Sequence, residues 1–198
     1  MEGNYRYYAF ISYKHEDVKW AKWIQKRLES YRLPATIRKK HINCPKRVKP
    51  ICRDNTDMLP GILEKEIQDK LENSKYLIVI CSKNLAKESK YVDTEIDYFI
   101  NRGMVDRIIP FVVDGEPNSD NPEKECFNKK LKDMPMELLA ADAVKDGKYI
   151  ASLKVIAAIL NLTADNLIDR DKIRQKRRKI FGTIGAVLLA ILLYIINF

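Results

Sequence analysis

The chain has 198 residues, of which 46% are hydrophobic and 32% charged, so one folded domain of ordinary size is expected and a disordered chain is excluded. The net charge of +9 is unevenly placed: residues 170–198 hold seven Lys/Arg and one Asp, which leaves 29 basic against 26 acidic residues, a net +3, on 1–169. A surplus confined to one terminal segment argues against nucleic acid as the partner of the main body.

The N-terminal MEGNYRYYAF has no basic stretch followed by an apolar one, so no signal peptide is expected. YRYYAFISY (5–13) predicts a strand ending in an apolar run, as a central strand does. EDVKWAKWIQKRLESY (16–31) spaces Val18, Ala21, Trp23, Ile24 and Leu28 as a helix does. The segment 32–50 has three prolines, seven Lys/Arg and no acid, and is expected to be a loop. Its charges suit solvated surface, anionic lipid or an acidic partner. No aromatic residue interleaves them, which disfavours nucleic acid.

VKPICRD (48–54) predicts a short strand, NTDMLPG a turn, and ILEKEIQDKLENS (62–74) an amphipathic helix. YLIVICS (76–82) is the clearest buried strand. A helix over about 91–102 follows, with Val92, Ile96, Phe99 and Ile100 as its apolar stripe. Of its three acids, Asp97 points outward, while Glu95 and Asp93 border the stripe on opposite flanks. Periodicity leaves these two tied. RIIPFVVDG (107–115) is another apolar strand, whose proline suggests an edge or bulge. A polar loop, a short helix and a last short strand precede a helix over 149–162.

The C-terminal IFGTIGAVLLAILLYIINF (180–198) has no charge across 19 positions. As a helix it would span about 28 Å, close to a bilayer's hydrocarbon thickness. The basic RDKIRQKRRK before it places the rest of the chain in the cytoplasm by the positive-inside rule. The expectation is a single-pass protein of the inner membrane with a basic stem over 166–179.

Alternating strands and helices imply a parallel sheet covered on both faces, with ligands bound beyond the carboxyl ends of its strands. No GxGxxG, GxxxxGK[ST] or GxSxG is present, which removes the common phosphate loops and the nucleophile elbow. Ser12 is expected to be a strand-end hydroxyl. Cys44, Cys52, Cys81 and Cys126 form no CxxC pair, and only His15 and His41 would join them. Neither a metal site nor a disulfide framework is expected, and Cys81 fits a core position.

YYAFISYKHED, CRDNTDMLPG, YLIVICSKNLAKESKYVDTEIDYF and RIIPFVVDGEP, in that order, resemble the successive boxes of a Toll/interleukin-1 receptor (TIR) domain, most of all those of bacteria. The resemblance covers roughly residues 5–165. It implies a flavodoxin-like five-stranded parallel sheet with flanking helices, to which the C-terminal transmembrane helix is added. It divides the chain into a TIR domain (1–165), the stem (166–179) and the membrane helix (180–198).

Many relatives cleave NAD at the nicotinamide–ribose bond, with a glutamate in a box of the form aromatic-Val-x-x-Glu-Ile. Tyr91-Val92-Asp93-Thr94-Glu95-Ile96 matches that box, so the resemblance selects Glu95 as the catalytic residue. Tyr91 stands where relatives often carry Trp. The resemblance implies that Tyr13, Lys14, His15, Asp54, Leu59 and Tyr91 bind the nucleotide, and that the loop holding Arg53, Asp54, Asp57, Leu59 and Pro60 covers the nucleotide or contacts the neighbouring protomer. NAD is then substrate rather than cofactor, and no metal is required. The implied role is antiphage or stress signalling, with self-association through TIR domains and a separate sensor or effector as partner. Two other functions compete: a non-enzymatic adaptor working through TIR–TIR assembly, and a membrane effector gated by TIR clustering.

Overall fold

The computed structural model describes residues 5–41, 44–53, 63–87, 89–134 and 139–196. Its centre is a parallel sheet of five strands in the order β2-β1-β3-β4-β5. The strands are β1 (Tyr7–Ser12), β2 (Ile51–Arg53), β3 (Ser74–Cys81), β4 (Ile108–Val112) and β5 (Ala141–Asp142). β1, β3 and β4 are apolar over long runs because both of their faces are covered.

Helices α1 (Val18–Ser30), α2 (Ala35–Lys40), α3 (Leu63–Glu72), α4 (Lys83–Ala86) and α5 (Lys90–Asn101) alternate with the first strands. α6 (Lys129–Lys132), α7 (Lys148–Ile159) and α8 (Ala164–Ile196) follow β4 and β5. Alternation along β1 divides the core. Ile11 joins Ala21, Ile24 and Leu28 of α1, Val155 and Ile156 of α7, and Leu167 and Ile168 of α8. Phe10 joins Leu71 of α3, Leu85 of α4, Leu131 of α6, and Val92, Ile96 and Phe99 of α5.

Between residues 5 and 162 the predicted strands and helices are present with shifted ends, the predicted turn over 55–61 lies outside the described residues, and three features of this part differ from expectation. The segment 32–50 contains α2, whose Ile37 is buried although three cations follow it. α4 is a further short helix, capped by Ser82, whose Oγ accepts from Asn84 N at 3.1 Å. Finally, the proline-bearing β4 lies inside the sheet rather than at its edge. Val113 N–H donates to Cys81 O at 2.8 Å on the β3 side, so by alternation the nitrogen of Pro110 faces the β5 side. There pairing begins only at Phe111, and no ladder bond is lost.

Stem and apolar segment form one helix, α8. Its first turns belong to the core: Leu167, Ile168 and Asp171 are buried. The Ile180, Phe181, Ile184, Ile191 and Ile195 side chains are all about half exposed or more. Among the described residues no helix is long and apolar enough to cross a membrane, so the expected transmembrane helix is not borne out there. Residues 197 and 198 of the expected span lie outside the described residues.

Candidate functional site

The chain leaves β1 towards β2 on one side, while β3 lies on the other, so the connections part between β1 and β3. Parallel sheets of this kind bind ligands at that point, beyond the strands' carboxyl ends. The residues leaving β1 are Tyr13 to Asp17, the last three in a short 3-10 turn (His15–Asp17). Those leaving β3 are Ser82, Lys83 and Asn84.

A buried polar cluster joins the two strand ends. Ser82 Oγ donates to Asp17 Oδ2 at 2.6 Å, and Asn84 Nδ2 donates to Asp17 Oδ1 at 3.4 Å. Asp17 and Ser82 are nearly inaccessible. Burial pushes the Asp17 carboxyl above its ordinary value, and the two hydrogen bonds offset only part of that rise. Ser12, fully buried at the end of β1, has no hydrogen-bond partner for its Oγ among the described residues. By alternation from Phe10, it lies on the sheet face that α5 covers.

α5 brings the predicted box to the same layer. It starts beyond the carboxyl end of β3 and packs back along that strand. Glu95 is 4% exposed, on the helical face that also buries Val92, Ile96 and Phe99. It lies about 8 Å along the helix from Lys90. Tyr91, one turn earlier on the same flank, is 64% exposed. A mostly solvent-facing aromatic ring thus stands above a buried carboxylate.

Asp93 has a partner on a neighbouring helix. Asp93 Oδ1 accepts from Asn128 Nδ2 at 2.5 Å, and Asn128 Oδ1 in turn accepts from Leu131 N at 3.1 Å, capping α6. Asp93 is therefore half-buried and bound to a neighbouring helix rather than being a simple surface charge. Asp97 pairs with Lys130 at 2.8 Å near the surface.

Tyr13 packs in the layer of α1, across the sheet, and its hydroxyl accepts from Arg53 Nη1 at 2.7 Å. Lys14 is half-buried and His15 exposed. Asp54, Asp57, Leu59 and Pro60 lie outside the described residues. The polar cluster was not singled out from the sequence. Asp17 looks there like an ordinary acid opening a helix, and its partner Ser82 lies 65 positions away.

Among the described residues no group of three His, Cys, Asp or Glu side chains is placed to hold a metal ion. The four cysteines are unpaired with one another. Burial raises the Cys81 thiol well above its ordinary value and pushes Cys126 up to about 12, so neither is a ready nucleophile. The acids and hydroxyls remain, a set able to bind ribose hydroxyls or stabilise a cation.

No curated protein matches the sequence. A solved structure described as the activated Roq1 resistosome directly recognizing the pathogen effector XopQ (TIR domains) is 16% identical, over 78% of this chain and 84% of that one, with a TM-score of 0.40. The family model described as TIR domain matches residues 9–136, from β1 through α6. That match spans well over half of the chain and contains Glu95, Asp17 and Ser82: the protein belongs to the TIR domain family.

Proposed function

We propose that this TIR protein cleaves NAD at the nicotinamide–ribose bond, with Glu95 as the catalytic carboxylate. The observation that carries the reading is the burial of Glu95 on an otherwise apolar helical face, in the layer lining the switch point. A buried glutamate is rare unless it is paired, because a buried charge is costly, and Glu95 is the acid of α5 that the matched box selects.

The chemistry suits one carboxylate. Glycosidases usually need an acid to protonate the leaving oxygen and a second carboxylate for the sugar cation. The nicotinamide ring of NAD is already positive and leaves as a neutral molecule, so no proton need be delivered. What remains is to stabilise the oxocarbenium-like ribose and orient its hydroxyls, which a fixed anion does by charge and position. Ser12, whose hydroxyl has no partner among the described residues and lies on the same sheet face, is suited to receive a ribose hydroxyl. The exposed ring of Tyr91 offers a stacking face for a base. Water at the ribose C1′ would give ADP-ribose, and an internal nucleophile a cyclic isomer.

The catalytic domain would then extend past residue 165 into the first turns of α8, whose Leu167, Ile168 and Asp171 are buried in it, with the basic stem continuing the helix to 179 and 180–198 a bilayer anchor at the inner membrane. The uncharged 19-residue run and the exposed isoleucines of α8 support the anchor. Tethering raises local concentration and so favours the TIR–TIR association through which a sensor partner would switch the enzyme on. The role fits stress or antiphage signalling.

The test is to incubate the concentrated full-length protein with NAD, in detergent and in vesicles, and to follow free nicotinamide by chromatography with mass detection. Nicotinamide release supports the reading. Its absence in every assembled, membrane-bound state leaves the adaptor function instead.

A further inference from the structure

A second site stands on the opposite layer. Between α1 and the chain entering β2 runs an open groove of about 550 Å³. Lys22 and Lys26 of α1, Arg47 and Lys49 of the incoming segment, and Arg53 at the end of β2 line it, against one acid, Glu29. Neither Glu95 nor Tyr91 belongs to it.

The groove is built, not a chance run of lysines. Glu29 Oε1 is occupied by the backbone of Ile51, whose N–H donates to it at 2.9 Å. Gln25 Nε2 holds Ile51 O at 2.9 Å, and its Oε1 accepts from Arg53 Nε at 3.3 Å. Arg53 Nη1 donates to Tyr13 OH at 2.7 Å. The guanidinium is thus fixed by two side chains rather than free to turn to solvent. Lys22 and Lys26 are four residues apart on one helical face, where like charges repel. Among the described residues, none of Lys22, Lys26, Arg47 and Lys49 has a carboxylate within 4.0 Å. Among the described residues, five cations and one acid line a volume within the usual range for small-molecule sites.

We propose that this groove binds a small anion carrying two or more phosphates. Several phosphates, unlike one, would neutralise cations contributed by α1, by the 47–49 segment and by Arg53 together. Arg53 supplies the planar donor suited to phosphate oxygens, and the lysines supply point charges. Because Arg53 also holds Tyr13 at the end of β1, an occupant would bear on the residues leaving that strand.

The test is binding of tripolyphosphate to the full-length protein in neutral detergent, followed by calorimetry at fixed ionic strength. Glycerophosphoglycerol, a single-phosphate lipid headgroup, is the second titrant. One-to-one saturable binding of tripolyphosphate is expected, weakened at least tenfold by the double variant Lys22→Glu/Lys26→Glu. The control Lys39→Glu/Lys40→Glu, on the exposed face of α2, should stay within twofold. Circular dichroism checks that both variants keep their helix content. An equal loss in both variants, or no saturable binding, overturns the site. Glycerophosphoglycerol binding as tightly as tripolyphosphate overturns the requirement for several phosphates. The readout is independent of NAD cleavage, so failure of one proposal leaves the other standing.

Discussion

Asp171, on the first turns of α8, has no exposed surface. Its carboxylate accepts from Tyr31 OH at 3.0 Å and Gln175 Nε2 at 3.0 Å, and also from Tyr149 OH and Arg174 Nη2. Burial pushes this carboxyl up, but the bonds from Tyr149, Gln175 and Tyr31 and the Arg174 charge outweigh it and hold it below 3.8. A folded value below the unfolded one stabilises the protein above pH 3.8, and that contribution is lost as pH falls through the folded value. Asp171→Ala should cost about 3 kcal/mol, read as a lower urea midpoint, and should remove this share of the acid sensitivity. Asp17 has the opposite sign, because its folded value is raised. It costs stability as pH rises from 3.8 through that value, so Asp17→Asn should gain on wild type as pH rises above 3.8 in the same assay. Neither residue was legible in the sequence. Each is an acid beside a helix start until the sheet brings Ser82, Tyr31 or Tyr149 to it. Glu95 was selected only because its box matched; periodicity by itself left Asp93 equal.

At the scale of elements, β3 and β4 were readable because burial on both faces demands long apolar runs, and α1 and α5 because several turns repeat a stripe. α2 and α4 were not, because six- and four-residue helices carry too few turns for a period to show. α6 is equally short, and Asn128 holds it twice over, by capping Leu131 N and by bonding Asp93 on α5. Asn128→Ala should therefore cost about 1 kcal/mol in chemical denaturation. It should leave nicotinamide release within a few-fold, because Asp93 ties α5 to α6 and the proposed chemistry does not use it. α8 sets a sharper test. Ending the chain at 165 would strip Leu167 and Ile168 from the core, about 2 kcal/mol each, and leave the Tyr31 and Tyr149 hydroxyls without their acceptor. A 1–179 protein should fold and elute as a discrete species in size exclusion, whereas a 1–165 protein should aggregate or melt well below it.

At the scale of the whole molecule, the sheet order separates two kinds of surface. Glu95 and Ser12 lie in the α5 layer, while the cationic groove lies beside α1, and Arg53 and Tyr13 connect it to the end of β1. The proposed anchor would hold this body near a bilayer through α8. Full-length protein should pellet with membranes and stay there through a high-salt wash, whereas 1–179 should remain in the supernatant. The central claim stands on one carboxylate. Its most direct test is the nicotinamide release rate of Glu95→Gln against wild type, at equal concentration and with matched thermal unfolding. The account predicts a loss of at least about a hundredfold with the fold intact. A Glu95→Gln protein that cleaves NAD at the wild-type rate would contradict it.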